Sequence, residues 1–241
     1  MLKRYTASLD TTIVNAYQLN LKTRGTGANA GQADVLETFS IYGRQQASSS
    51  AYQGSQELSR ILIQFPTTKI ASDRTAGVLP ASGNVNFYLR LFNAEHSKTV
   101  PRDFKLVVQP VSRSWQEGEG LDLEGYKDLT KGNPGANWIS ASDSSAWTKV
   151  GGDYLTSKPL LNEQTFASGL EDLEVDVSEV VEQWLKEDIQ NYGFGVFLSS
   201  SYEAYFSGSA GADSGSVLNN LAGAKKSYYT KRFFPRGSQY F

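Results

Sequence analysis

The sequence predicts an all-β protein, an antiparallel β-sandwich with long loops and one short helix at about residues 178–188. Three observations predict this fold. The chain has 13 tyrosines and 12 phenylalanines, and such aromatic residues suit sheets better than helical bundles. Runs of alternating apolar and polar residues recur between turns rich in glycine and serine. Only one segment has the three-and-four spacing of a helical face.

Five segments in the N-terminal half have strand character. The clearest runs from Leu58 to Phe65, because Pro66 follows it and cannot donate the next N–H of a sheet ladder. The five segments are residues 2–17, 35–42, 58–65, 84–92 and 104–111.

Two loops rich in small residues separate these strands, at residues 24–31 and 47–54. The first loop could cradle a phosphate group if Gly-Lys-Ser or Gly-Lys-Thr and an apolar helix followed it, but neither does. It is therefore predicted to be a plain surface loop, and the second is predicted to be a loop of the same kind.

The segment from Leu173 to Leu185 changes its period at Ser178. The residues before Ser178 alternate as in a half-buried strand, and those after it follow the spacing of a helix. Ser178 can cap this helix, or Asp176 can do so with Glu179 closing a capping box, and the sequence leaves both open. The predicted helical face consists of Val177, Val180, Val181, Trp184 and Leu185.

The rest of the chain predicts a single domain. Residues 114–154 have few strand signals and are interpreted as an extended excursion, while residues 191–198 predict a turn and a strand. No repeat of fixed period or proline-rich linker divides the chain. Residues 1–241 are therefore predicted to form one domain, in which residues 225–241 supply closing strands that could lead into a further region.

Composition and charge exclude several classes of function. The formal net charge is −2, so no overall field favours nucleic acid or an anionic membrane as a partner. The absence of cysteine excludes disulfides and thiolate chemistry. The N-terminal residues lack the apolar core of a signal peptide, and no apolar run approaches membrane-spanning length. We expect neither nucleic acid nor a membrane as a partner.

Ordered motifs run through the chain from Asp10 to Leu198, and together they resemble the DNRLRE domain family. That resemblance implies a jelly-roll sandwich related to some carbohydrate-binding modules. The motifs are Leu-Ser-Arg-Ile-Leu-Ile-Gln-Phe at 58–65, Phe-Tyr-Leu-Arg-Leu at 87–91, Val-Ser-Arg-Ser-Trp-Gln-Glu-Gly-Glu-Gly at 111–120, Trp138, Trp147, Gly-Gly-Asp at 151–153, Val-Asp-Val-Ser at 175–178, Gln-Trp-Leu at 183–185 and Asn-Tyr-Gly-Phe at 191–194.

Two features depart from that family. The loops at 24–34 and 47–56 look longer than usual, and the tail from residue 225 is unusually basic and aromatic. The tail at 228–241 resembles segments found in virion structural proteins of tailed phages. This second resemblance implies a virion component that is assembled in the host cytoplasm without a signal peptide.

The tryptophans have two interpretations. The resemblance implies that Trp115 and Trp184 pack internally. Trp138 and Trp147 could likewise pin the excursion to the sandwich, or they could form a glycan-binding platform, because ring faces attract the C–H groups of sugars. The sequence leaves both interpretations open for these two residues.

The densest acidic cluster in a loop is a weak candidate for calcium binding, since carboxylate oxygens are the ligands that calcium prefers. A glycosidase acid/base pair would instead need two carboxylates that face each other across a cleft. A solvated acidic loop is the favoured interpretation, so no cofactor is expected beyond this calcium candidate. The four acids are Glu117, Glu119, Asp122 and Glu124.

His96 is the single histidine of the chain. A serine triad would need a nucleophile turn of the Gly-X-Ser-X-Gly type, and a zinc site would need further ligands, and the sequence offers neither. His96 is therefore predicted to be an exposed loop residue.

Charge is distributed unevenly along the chain. Residues 163–188 are strongly acidic, whereas the tail is basic and has no acidic residue. Balance within the chain is the first interpretation, docking between copies the second, and nucleic-acid binding a distant third. The interface candidates of the tail are Lys225, Lys226, Lys231, Arg232 and Arg236.

These observations favour a non-enzymatic structural protein of a tailed-phage virion, a neck, tail or capsid-accessory component. Its expected partners are copies of itself and other virion proteins, which it would contact through strand edges, aromatic loops and opposite charges. The alternative is a carbohydrate-binding module that recognises a glycan. A polysaccharide-cleaving enzyme is the weakest option, because no acid/base pair is visible.

Overall fold

The computed structural model of the chain describes residues 2–18, 20, 23–48, 51–96, 100–121, 135–203 and 228–238. These residues are mostly β, as predicted. Two antiparallel sheets form a curled half-barrel with two short helices, and a third, two-stranded sheet lies in the excursion. The strands are β1 (Leu9–Val14), β2 (Leu36–Ser48), β3 (Ala51–Gln64), β4 (Tyr88–Leu91), β5 (Phe104–Pro110), β6 (Ser140–Ser142), β7 (Ser145–Ala146), β8 (Asn162–Phe166), β9 (Leu173–Asp176), β10 (Phe194–Leu198) and β11 (Tyr228–Phe233).

The helices of the described ranges are α1 (Thr67–Thr75), α2 (Ser178–Leu185) and a 3₁₀ turn at Lys158–Leu160. None of these three helical segments has the length and apolar character that crossing a membrane requires.

The main sheet has seven strands in the order β11-β2-β3-β10-β5-β8, with β1 also paired to β3. The long strand β3 holds this sheet together, because its two halves have different partners. Residues 51–58 pair with β2, whereas residues 59–64 pair with β1 and residues 61–63 with β10.

Alternation along β3 places hydrophobic residues on both faces of the main sheet. Ile61 and Ile63 belong to the larger core, and Leu58 and Leu62 belong to a second cluster. Because successive side chains of a strand point to opposite faces, the two clusters lie on opposite sides of the sheet. The excursion after β5 covers the second cluster with its tryptophans.

A second layer made of β4, β9 and the two helices covers the larger core. The predicted helical face is the buried one, since Val180, Val181 and Trp184 all lie in this core. The Trp184 ring packs against the ring of Phe194 on β10, with 4.7 Å between the ring centroids. Burying side chains of this size stabilises the fold by about 1.5–3 kcal/mol each.

The N-cap residue of α2 is Val177, which has no capping side chain, so neither of the two residues that the sequence offered occupies the cap position. Asp176 Oδ1 accepts the N–H of Ser178 at 2.8 Å, at the positive end of the helix. The Ser178 hydroxyl oxygen instead accepts the N–H of Phe87 at 2.8 Å, which connects the start of the helix to the residue before β4.

Both edges of the main sheet meet the small β4–β9 sheet. At one edge, the Gln164 side chain of β8 donates to Asp172 O at 2.8 Å and accepts from Glu174 N–H at 2.7 Å. At the other edge, Ala94 N–H donates to Arg232 O and Phe234 N–H donates to Phe92 O, each at 3.0 Å. These contacts curl the sheet.

Three sequence predictions are corrected. A second helix, α1, follows β3, and the sequence missed it because only Ile70 and Asp73 are buried, which leaves no apolar stripe. The predicted loop at 47–54 lies mostly within a β2–β3 hairpin, whose small polar residues have no alternating pattern. The helix predicted to end near residue 188 ends at Leu185.

Candidate functional site

Glu117, a candidate calcium ligand, forms an ion pair with Arg236, a candidate interface residue. Arg236 Nη2 lies 2.7 Å from Glu117 Oε2 and 2.9 Å from Oε1. The backbone N–H of Asp10 donates to Glu117 Oε1 at 2.7 Å, and the backbone N–H of Arg236 donates to Asp10 Oδ2 at 2.6 Å. Burial raises the pKa of the Asp10 carboxyl above its ordinary value, although Arg236 counteracts this. The pair joins β1, the excursion and the C-terminal tail.

The other calcium candidates do not form a described site. Glu119 is exposed, and Asp122 and Glu124 lie outside the described residues. Across the ranges that the structure describes, no three acidic or histidine side chains come together as metal ligands would. The calcium hypothesis stays a prediction.

Two more of the basic tail candidates, besides Arg236, have partners within the chain. Lys231 is fully buried, and its Nζ donates to Asn93 Oδ1 at 2.5 Å and to Gly169 O at 2.9 Å. Arg232 Nε lies 3.0 Å from Glu37 Oε1. A buried Lys231 cannot contact another molecule in this conformation. Lys225 and Lys226 lie outside the described residues.

The candidate glycan-stacking tryptophans are buried. Trp138 is 2% exposed and Trp147 is 5% exposed, so neither ring presents a face to solvent. Trp147 Nε1 donates to Asn137 O at 2.8 Å. The Arg60 guanidinium carbon lies over the Trp138 ring, 5.3 Å from the ring centroid. Both rings pin the excursion to the sheet, which is the packing interpretation that the sequence left open. Internal packing is also confirmed for Trp115 and Trp184.

The loop at 24–31 is not the surface loop that the sequence predicts, because Asn29 within it is completely buried. The Asn29 amide nitrogen donates to Glu117 O at 2.8 Å and to Ala136 O at 2.7 Å. Its Oδ1 accepts the N–H groups of Gly31 at 3.1 Å and Gly120 at 2.8 Å. The side chain therefore satisfies four backbone groups of three chain segments.

Glycines surround Asn29 because there is no room for a Cβ atom. A Cβ on Gly118, whose φ is +80°, would collide with the Asn29 side chain, and one on Gly120 would collide with the Asn29 carbonyl oxygen. The Glu-Gly-Glu-Gly sequence at 117–120 thus shapes the excursion around Asn29. Sequence reasoning missed this cluster, although the closely spaced glycines were a visible signal.

His96 is half-buried rather than exposed. Burial and the positive charge of Arg232 lower the pKa of its imidazole, while Glu37 opposes them. Its Nε2 is buried and has no hydrogen-bond partner among the described residues. The neutral ring therefore packs beside the β2–β11 ion pairs.

A cavity of about 350 Å³ lies beside the excursion and is lined by Arg113, Lys149, Asp153 and other polar residues. Asp153 accepts the N–H groups of Thr148 and Lys149, both at 2.9 Å. Although burial opposes it, these donors hold the pKa of the Asp153 carboxyl below its ordinary value. Asp153 is therefore held as a hydrogen-bonded carboxylate beside Arg113, an arrangement that suits recognition of polar groups better than proton transfer.

Tyr154 borders the same cavity. Its hydroxyl donates to Gly151 O at 2.8 Å, and burial raises the pKa of Tyr154 to about 12. The hydroxyl therefore stays protonated at neutral pH and serves to fix the Gly151 turn.

The outer part of the β2–β3 hairpin is a two-stranded ribbon, which we call the arm and define as residues 42–48 and 51–56. Within the described residues, β11 pairs with β2 up to Ile41, opposite Tyr228, where the described part of that strand begins, and β1 pairs with β3 from Ser59 to Gln64. Among the described strands, the arm segments pair only with each other. Seven residues of strand reach about 20 Å.

The arm has few of the features that protect free strand edges. Such edges usually carry charged residues or proline, which block pairing with other chains. Between Tyr42 and Gln56 the sequence contains a single charged residue, Arg44, and no proline. The arm is therefore suited to accept a further strand.

No protein-family model matches the chain, and no curated protein matches its sequence.

Proposed function

We propose that this chain is a non-enzymatic structural protein of a tailed-phage virion, a neck, tail or capsid-accessory component. It works by docking to copies of itself and to other virion proteins. The observation that carries the proposal is the arm, a long two-stranded ribbon that has one charged residue and no proline, whereas the edges of the main sheet are joined to the β4–β9 sheet. The resemblance of residues 228–241 to segments of tailed-phage virion proteins is the reason for proposing a tailed-phage virion as the particle.

The pairing of ionisable groups supports a protein that works through its surface. Arg60 contacts Glu203 through two bonds of 3.0 and 2.9 Å, and Arg74 contacts Glu182 through bonds of 2.8 and 2.6 Å. Groups that are held in such pairs stabilise a scaffold and are poorly placed to exchange protons with a substrate.

We assign the half-barrel to the DNRLRE-type jelly-roll sandwiches, with the main sheet as one layer and β4, β9 and α2 as the core of the other. The order of the motifs along the chain supports this assignment.

The arm docks to a second copy of the chain. Two arms can pair edge to edge as antiparallel strands, because their edges are identical and nearly uncharged, so that like charges do not oppose the contact. A two-stranded ribbon is marginally stable alone in water. Pairing with a neighbour would therefore both stabilise the arm and join the copies.

Replacement of the arm tests this mode of docking. In the variant, Asn-Gly replaces residues 43–55 and joins Tyr42 to Gln56 in a two-residue hairpin turn. We expect the full chain to form oligomers by light scattering and the variant to be a folded monomer. Leu170→Ser, which changes an exposed side chain, is the matched control and should assemble as the full chain does. Unchanged assembly of the armless variant would contradict docking through the arm.

Mass spectrometry of purified phage particles tests the virion assignment. The chain is expected among the virion proteins in a copy number that fits a symmetric ring or layer. A chain that is strictly monomeric and absent from particles would overturn the proposal.

Glycan binding is the second candidate function. The polar cavity beside Arg113 and Asp153 favours it, because fixed hydrogen-bonding groups in a depression suit sugar hydroxyls. Selective binding on a glycan array by the isolated monomer, lost in Arg113→Ala, would favour this candidate over assembly.

A further inference from the structure

Lys231 is an unusual residue for the centre of a strand. Its side chain is fully buried. Its Nζ lies 5.1 Å from the centroid of the Phe166 ring and 5.2 Å from the centroid of the Phe233 ring. Buried lysines are normally paired with a carboxylate. Among the described residues, however, the hydrogen-bond acceptors of Nζ are two neutral oxygens, those of Asn93 and Gly169.

The Asn93 carboxamide lies within hydrogen-bonding distance of this amine. Asn93 pairs with Phe233 in an isolated antiparallel bridge, which sets it beside β11. Its Oδ1 lies 2.5 Å from Lys231 Nζ, so Nζ is at most about 3.7 Å from Cγ, the sum of that contact and one C=O bond. Reacting atoms in productive geometry are about 3–3.5 Å apart.

We propose that Lys231 and Asn93 form an intramolecular isopeptide bond, in which Lys231 Nζ is joined to Asn93 Cγ. The uncharged amine attacks the carbonyl carbon, the new N–C bond forms, and the bond from Cγ to Nδ2 breaks. A proton passes from Nζ to Nδ2, which leaves as ammonia. The step requires no oxidant or other reactant, and its product is an ordinary amide.

The surroundings favour this step. Burial lowers the pKa of the Lys231 amine to about 8, although Glu171 and Asp172 oppose the shift, so a fraction of the amine is uncharged at neutral pH. The rings of Phe166 and Phe233 exclude water that would compete with the amine. Asp172 Oδ1 accepts the backbone N–H of Asn93 at 2.8 Å, which holds the Asn93 backbone in place.

The bond would secure the C-terminal strand. It joins residues 138 positions apart and closes most of the domain into one covalent loop, which restricts the unfolded chain as a disulfide does. A chain without cysteine has no disulfide for this purpose.

Intact mass spectrometry of the purified full chain tests the proposal. We expect the folded protein to be lighter than its sequence by one ammonia molecule. A tryptic digest should yield a branched peptide that contains Asn93 and Lys231, since trypsin does not cleave after an acylated lysine. Full sequence mass would overturn the proposal, and so would loss of ammonia without the branched peptide.

Two variants serve as controls. Lys231→Arg keeps the positive charge but removes the nucleophile, and Asn93→Ala removes the carbonyl group, so both should keep their full sequence mass. Because the wild-type measurement decides by itself, a variant that fails to fold leaves the test intact.

Discussion

Glu117 and Arg236 lie 119 positions apart in the chain and form an ion pair that uses both carboxylate oxygens. Arg236 Nη2 is 2.7 Å from Glu117 Oε2 and 2.9 Å from Glu117 Oε1. On the sequence alone, Glu117 is a weak candidate for calcium binding in a loop expected to be solvated, and Arg236 is a candidate for contact with a neighbouring copy, ranked behind charge balance within the chain. The structure pairs them with each other. The same contact brings β1, through Asp10, next to the excursion and the tail.

Removing the Glu117 charge should destabilise the fold without unfolding it. We expect Glu117→Gln to lower the free energy of unfolding by about 2 kcal/mol, since a charged hydrogen-bonded pair is lost. Arg236 is 33% exposed, so water can solvate its freed guanidinium, and the loss should stay below that for a fully buried pair. Urea unfolding measures it. The exposed Glu119→Gln is the control and should change stability by less than about 0.5 kcal/mol.

The glycine at 118 should tolerate no side chain. Gly118→Ala should lower the free energy of unfolding by more than about 3 kcal/mol, because the methyl group collides with Asn29 and disturbs its four hydrogen bonds. Gly77→Ala is the matched control, because Gly77 also has a positive φ, of +72°, but faces open space. It should cost only about 1–2 kcal/mol. Equal losses in thermal or urea unfolding would show that Asn29 does not require the glycine.

Acid should weaken the fold through Glu171. Although burial opposes it, hydrogen bonds from the Ser168 and Gly169 backbone hold the pKa of Glu171 at about 2, below its ordinary value of 4.5. The folded state therefore binds the proton less tightly than the unfolded state, so this stabilisation is present above pH 4.5 and is lost as the pH falls towards 2.

Urea unfolding of wild type and Glu171→Gln across this pH range measures the effect. The wild type should be the more stable at neutral pH, and the difference should shrink in acid. A difference that is independent of pH would contradict the depressed pKa. Glu119→Gln again controls for the loss of one exposed carboxylate.

The Gln164 side chain should contribute to the closure of the half-barrel. Gln164→Ala leaves Asp172 O and Glu174 N–H without their partner, and we expect it to lower the free energy of unfolding by about 1–2 kcal/mol. Hydrogen exchange of the Glu174 amide should accelerate more than that of central β3 amides. Gln32→Ala, at an exposed position, should leave both measurements unchanged.

Local patterns in the sequence predicted the elements that have a clear period. The alternation at Leu173 to Val177 and the helical spacing from Val180 to Trp184 place these residues in the core, as expected. The same reasoning missed α1 and the outer part of the β2–β3 hairpin, at residues 43–48 and 51–57. Neither segment has an apolar period, so hydrophobic periodicity cannot detect it.

The sequence by itself determined a mostly β chain, a strand followed by a short helix, and internal positions for Trp115 and Trp184. Only the tertiary structure decided the partners of Asn29, Glu117 and Lys231, because each finds them among residues distant in the chain. A charge or an amide group does not specify which of many possible partners it will meet. The path of the backbone makes that choice, since it brings a few of them within hydrogen-bonding distance and leaves the rest in water.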